Sequence, residues 1–274
     1  MKDFPVKRME FEGSNIRVES LPLGVKRLVL NRPQVRNAFD EATMSEIKEQ
    51  LDHMAVDLDH EDMRLLVFSG EGKYFSAGAD VGYMRRLADR GEDESLEDAL
   101  ELAQLFHQLA DFPTPVVGAV RGAAIGGAFG LAVCMDYVLA EENAIFSTSE
   151  VRLGIVPAAG GCQRLPRLIG VRNALDMRLT GKAASAHKAL KLRLVDEVVH
   201  PSILDSAALE AAQKLSAGWR PKRPRKVLDK LARRAIFAKA RKLVLAKSGD
   251  RYPAPLAALD AVSHGIQYGL DAGL

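Results

Sequence analysis

A repeated rhythm constrains this chain more than any other feature. Short β-branched or apolar runs, each stopped by Gly or Pro, alternate with helical stretches about every 50 residues. The runs at 16–21 and 25–30 are separated by Pro22-Leu23-Gly24, and Asn31-Arg32-Pro33 stops the second. Asp40 is placed to cap a helix whose Met44, Ile47, Leu51 and Met54 share one face. Residues 64–69 read as a strand buried on both sides. Residues 89–101 hold seven acids and one Arg, and read as a mobile loop running into a helix that continues through Leu109. A strand at 114–120, a small-residue helix at 126–135, and strands at 137–140, 144–147 and 195–199 follow. Strands interleaved with helices imply an α/β class with a parallel sheet. Beyond Pro201 the chain reads as helical, divided by Pro221, Pro224, Pro253 and Pro255 into about three helices. A soft boundary therefore separates a core, 1–201, from a helical region, 202–274.

Composition removes several classes. The charge-free run 122–135 is 14 residues long, short of the roughly 20 that a membrane span needs. The first residues lack the apolar stretch of a secretory leader, and two cysteines fit a reducing compartment, so a cytoplasmic protein is expected. The six His and the two Cys show no ligand spacing, so no metal is expected. Net charge is +2, yet residues 219–247 carry twelve Lys/Arg and one acid. The remainder holds 26 basic and 35 acidic groups. Such a block attracts an anionic partner or the acidic body itself. Trp219 and Phe237 are its only aromatics, which argues against nucleic acid. The block also carries Leu228, Leu231, Ile236, Leu243 and Leu245 at helical spacing, so a solvated or subunit-facing basic helix is the better account.

Three local features carry chemistry. Phe75-Ser76-Ala77-Gly78-Ala79-Asp80 is a run of small residues ending on a capping Asp before a helix that starts at Val81. Gly122-Ala123-Ala124-Ile125-Gly126-Gly127 is a second small-residue turn into a helix. Small side chains let a ligand approach the backbone, and two main-chain donors converging on one point make an oxyanion hole. Glu150 is a carboxylate in a mostly apolar stretch, partly withdrawn from water and suited to proton transfer.

The order of Asn31-Arg32-Pro33, Asn37-Ala38, the 75–80 run, Gly122-x-x-x-Gly126-Gly127 and Glu150-x-x-x-Gly154-x-x-Pro157-x-x-Gly160-Gly161-x-Gln163-Arg164-Leu165 resembles the crotonase (enoyl-CoA hydratase/isomerase) family. Leu179-Thr180-Gly181, Ala189-Leu190 and Leu194-Val195 also fit, and the likeness spans about residues 15–200. Residues 248–254 resemble the stretch closing the hydratase segment of fatty-acid-oxidation α chains. The chain stops at Leu274, so no dehydrogenase part is expected.

The resemblance implies a spiral of ββα units, a C-terminal helical region that makes trimers and covers the site, and trimers or dimers of trimers. It implies an acyl-CoA thioester substrate, no cofactor apart from the CoA of the substrate, and β-oxidation enzymes as partners. Ala79 and Gly127 would give the two N–H donors. Arg36 and Ala38 match the segment against the CoA adenine, and Lys73 matches a cation near the CoA phosphates. Ala77, Asp80, Val81 and Gly126 would line the thioester arm, and residues 82–105 the acyl pocket. Gly82 stands where hydratases often carry Lys.

One departure bears on the reaction. Hydratases of this family carry a second glutamate at the position of Gly130, while Glu150 retains the other. Hydration needs water activated and a proton delivered, work shared by two carboxylates. Moving a double bond needs one base, which points to Δ3-to-Δ2 isomerisation. The alternatives are a hydratase using Glu150 alone or with Asp80, a CoA-ester decarboxylase or hydrolase, and an inactive partner subunit. Asp136 reads as structural, Cys134 as core, and Cys162 as lacking a His partner.

Overall fold

A strand that is apolar at every position needs cover on both faces, and the architecture supplies it. The computed structural model describes residues 8–57, 63–157, 160–221, 230–248 and 252–270. Its strands are β1 (Arg8–Glu12), β2 (Ile16–Leu21), β3 (Val25–Leu30), β4 (Leu65–Gly70), β5 (Val116–Val120), β6 (Ala123–Ile125), β7 (Tyr137–Glu141), β8 (Ile145–Ser147), β9 (Ala184–Ser185) and β10 (Glu197–Val199). Its helices are α1 (Glu41–Asp57), α2 (Val81–Ala88), α3 (Glu92–Ala110), α4 (Gly127–Ala132), α5 (Gly161–Ile169), α6 (Val171–Thr180), α7 (Ala186–Leu192), α8 (Leu204–Ser216), α9 (Lys230–Ser248) and α10 (Ala254–Tyr268).

Seven strands form one sheet in the order β1-β2-β3-β4-β5-β7-β10. β1, β2 and β3 pair antiparallel, and β3, β4, β5, β7 and β10 run parallel. Every residue of β3, β4 and β5 is buried. Val25, Leu65, Val67, Val117 and Ala119 face α8, whose Leu204, Ala208, Ala212 and Leu215 complete that layer. Leu28, Leu66, Phe68, Val116 and Val120 face the other way, toward Ile47 and Leu51 of α1 and Phe106 of α3. α8 thus lies beyond residue 201 and still finishes the sheet. A smaller sheet, β6-β8-β9, stacks its β6 beside the loop after β4 through a Ser76–Ala124 bridge.

The expected α/β fold and parallel sheet are present, with two local corrections. The acidic stretch is not a loop into a helix: α3 already begins at Glu92. Glu92, Asp93 and Glu94 fill its first turn, where the helix dipole favours acids, and Ser95 Oγ donates to Gly91 O at 2.9 Å. The small-residue helix is shorter than 126–135, because Gly126 has φ 57° and ψ −122°, outside helical geometry. The basic α9 buries Val244 and packs Ile236, Phe237 and Ala240 against α6 and α10, while Leu243 and Leu245 are exposed. Pro224, Leu228 and residues 158–159 lie outside the described residues. No helix among the described residues is long and apolar enough to cross a membrane.

Candidate active site

The site begins with a backbone bridge. Phe39 N donates to Gly78 O and Asp80 N donates to Phe39 O, both at 2.9 Å. Because alternate peptide groups of an extended strand point opposite ways, the N–H of Ala79 faces away from Phe39. Asp80 then caps α2: its Oδ1 accepts from Gly82 N at 2.8 Å and Tyr83 N at 3.2 Å. Its Oδ2 lies 3.9 Å from Arg32 Nη2. The expectation of Asp80 against a ligand therefore meets a carboxylate already engaged in holding the turn that presents Ala79.

The second turn reaches the first through missing side chains. Gly126 N donates to Ser147 O at 2.9 Å, and Gly127 opens α4, where the first N–H groups have no helical acceptor. A Cβ on Gly78, at φ 85°, would lie 2.4 Å from Ile125 O and 3.3 Å from Gly127 N. A Cβ on Gly127 would lie 2.7 Å from Cζ of Phe39. Only glycine permits this contact between the two turns. Among the described residues, neither Ala79 N nor Gly127 N donates to a backbone or side-chain acceptor.

Glu150 starts a short 3₁₀ turn, residues Glu150–Leu153, after β8. Its carboxyl carbon and Oε1 are each 3.7 Å from where a Cβ on Gly126 would stand, so the acid faces the second turn. The side chain is 18% exposed, and Oε2 is buried without a hydrogen-bond partner among the described residues. The turn is held from the C-terminal region by Tyr252 Oη, which donates to Val151 O at 2.6 Å. At Gly130 a Cβ would lie 2.3 Å from Phe106 Cε2, so an aromatic ring occupies the space beside this position.

The expected CoA-facing residues gather on adjoining loops. Asn37 is buried and ties them together: its Nδ2 donates to Glu71 O at 2.9 Å and Tyr74 O at 2.7 Å. Ala77 N donates to Arg36 O at 2.9 Å, and the Arg36 guanidinium sits 5.9 Å from the Tyr74 ring centre. Lys73 is exposed on the same rim, and Ala38 is buried, its carbonyl accepting from Arg32 Nη1 at 2.8 Å. Val81 is exposed at the start of α2. Burial and the neighbouring Asp98 carboxylate, which accepts from its hydroxyl, hold the Tyr83 phenol well above its ordinary range.

Burial pushes the Cys134 thiol up to about 12 and raises Cys162 as well, so neither is a ready nucleophile. Asp136 accepts from Val116 N at 2.8 Å, a structural contact.

Sequence reasoning missed Arg178. It is 1% exposed, and its Nη1 lies 3.9 Å from Glu150 Oε1. Val171, Ala174 and Arg178 recur at helical spacing on the buried side of α6, a signal that a cation stands on an apolar stripe.

Three comparisons bear on this arrangement. The family model of enoyl-CoA hydratase/isomerase matches residues 21–244. The fatty acid oxidation complex subunit alpha of Idiomarina loihiensis is 36% identical over 94% of this chain, and the chain spans 36% of that protein's length. An enoyl-CoA hydratase crystal structure from Bacillus anthracis superposes with a TM-score of 0.70 at 29% identity, covering 95% of this chain and 86% of that one. One from Shewanella pealeana gives 0.67 at 32% identity, covering 86% and 90%. With a crotonase fold and the family model matched over residues 21–244, the chain belongs to the enoyl-CoA hydratase/isomerase family.

Proposed function

We propose that the protein shifts the double bond of a 3-enoyl-CoA thioester to the 2-position. In this reading Ala79 N–H and Gly127 N–H donate to the thioester oxygen. Glu150 takes a proton from C2, and the C2–H electron pair moves into the thioester to give a dienolate. The negative oxygen is stabilised by donors already in place, which need no reorganisation. Glu150 then returns the proton to C4, leaving the double bond between C2 and C3. Arg36, Ala38 and Lys73 hold the CoA part on the rim beside Tyr74, and Ala77, Val81 and Gly126 line the arm between.

The observation that carries the preference for isomerisation is Gly130. A glutamate there would collide with Phe106, so the acid at the Gly126–Gly127 turn is Glu150, working without the partner that hydration uses. The likeness to a fatty acid oxidation complex subunit supports a place in fatty-acid oxidation beside partner enzymes. The test is an assay with 3-enoyl, 2-enoyl and malonyl-type CoA esters. The 3-enoyl ester is expected to isomerise, and E150Q is expected to lose about 10³-fold in kcat. Hydration of 2-enoyl-CoA at ordinary rates would overturn the preference, and activity persisting in E150Q would overturn the role of the acid.

A further inference from the structure

A buried arginine with unused donors is uncommon, because buried polar atoms are nearly always paired. Arg178 is such a residue: its Nε and Nη2 are buried without hydrogen-bond partners among the described residues. Three neighbours fix it. Its guanidinium lies 5.3 Å from the Phe129 ring centre. A Cβ on Gly161 would come within 2.6 Å of Nη2, so the glycine at the start of α5 makes the room. The third neighbour is Glu150, whose Oε1 is 3.9 Å from Nη1. The influence of both charges extends to Cys162, whose thiol feels Arg178 and Glu150 in opposite directions behind a larger effect of burial.

The form of this pair matters. Arginine and a carboxylate in van der Waals reach usually close into a two-bond fork, which locks the carboxylate. Here one oxygen faces the cation across a gap, and Oε2 has no partner among the described residues. A base that collects a proton at one carbon and delivers it two carbons further along needs its charge held and its other oxygen free.

Resting on the reading that Glu150 is the proton carrier, we propose that Arg178 is a positioning residue for it. Arg178 keeps the carboxylate over Gly126 through Oε1 and, by not closing into a fork, leaves it able to take and return the proton. The charge beside the base is then a cation, whereas the hydratase pattern sets a second carboxylate near it.

The experiment compares R178M, R178K, E150Q and E150Q/R178M on a 3-enoyl-CoA, with melting temperature and circular dichroism confirming the fold. R178M is expected to lose about 100-fold in kcat with KM changed less than about threefold. R178K, which restores a point charge where no fork has to be rebuilt, is expected to recover at least about tenfold of that loss. The double variant is expected to be no slower than E150Q alone, because residues acting as one unit are not additive. Should R178M fail to fold, R178Q replaces it with the same expectations. Loss in KM with kcat unchanged, equal loss in R178K and R178M, or full activity in R178M beside an inactive E150Q would each overturn the proposal while leaving Glu150's role standing. Full activity in E150Q would instead overturn the reading beneath it.

Discussion

Gly130 is the position on which the proposed preference for isomerisation rests. Placing Glu there does not restore a second acid, because its Cβ would meet Phe106 Cε2 at 2.3 Å within a buried helix. G130E is expected to lower stability by about 1–3 kcal/mol through overpacking. Chemical denaturation of the variant against the parent checks it. Asp40 is a second residue whose contacts decide its behaviour. Against the opposing effect of burial, hydrogen bonds from Thr43 N at 3.0 Å and Thr43 Oγ1 at 2.8 Å, with Arg32 nearby, hold its carboxyl below its ordinary value of 3.8. A depressed carboxyl stabilises the fold above its unfolded value and loses that contribution as pH falls through the folded one. D40A should therefore cost about 1 kcal/mol near neutrality through loss of the helix cap. The gap from the parent should narrow as pH falls below 3.8, which thermal melts across pH would show.

Elements connect the site to the rest of the chain. α2 begins at the cap that presents Ala79, α4 begins at Gly127, and α6 carries Arg178. The C-terminal region joins in through Tyr252, whose hydroxyl donates to the carbonyl next to Glu150. Y252F removes that bond and is expected to lower the melting temperature by a few degrees, the scale of about 1 kcal/mol in a domain of this size. A fall in kcat alongside, read by steady-state kinetics, is expected because the turn bearing the acid loses its tether. The helix at 41–57 was legible as a periodic apolar face, since a 3.6-residue repeat needs only local sequence. The start of α3 was not legible: acids in number look like a loop until the helix dipole they stabilise is counted.

For the whole molecule, the charge asymmetry and the family resemblance suggest assembly. α9 exposes cations along its outer side while α3 exposes acids. Sedimentation at low salt is expected to give three or six times 29.8 kDa, with association weakening as salt screens the surface charges. A monomer at every concentration would remove the assembly role proposed for residues 202–274.

The local sequence was enough to mark both small-residue turns, the capping Asp80 and the acid at 150. Each is written in consecutive residues whose backbone demands, such as a positive φ at Gly126 or a helix start after Asp80, are local. That Gly130 departs from the two-acid pattern came from the family resemblance and not from local spacing. That Phe106, 24 positions away, fills the space at Gly130, that Gly78 touches Gly127, and that Arg178 stands behind Glu150 were decided by tertiary packing. These are contacts between distant segments, and spacing along a chain carries no record of which side chains its folding brings within a few ångströms of one another.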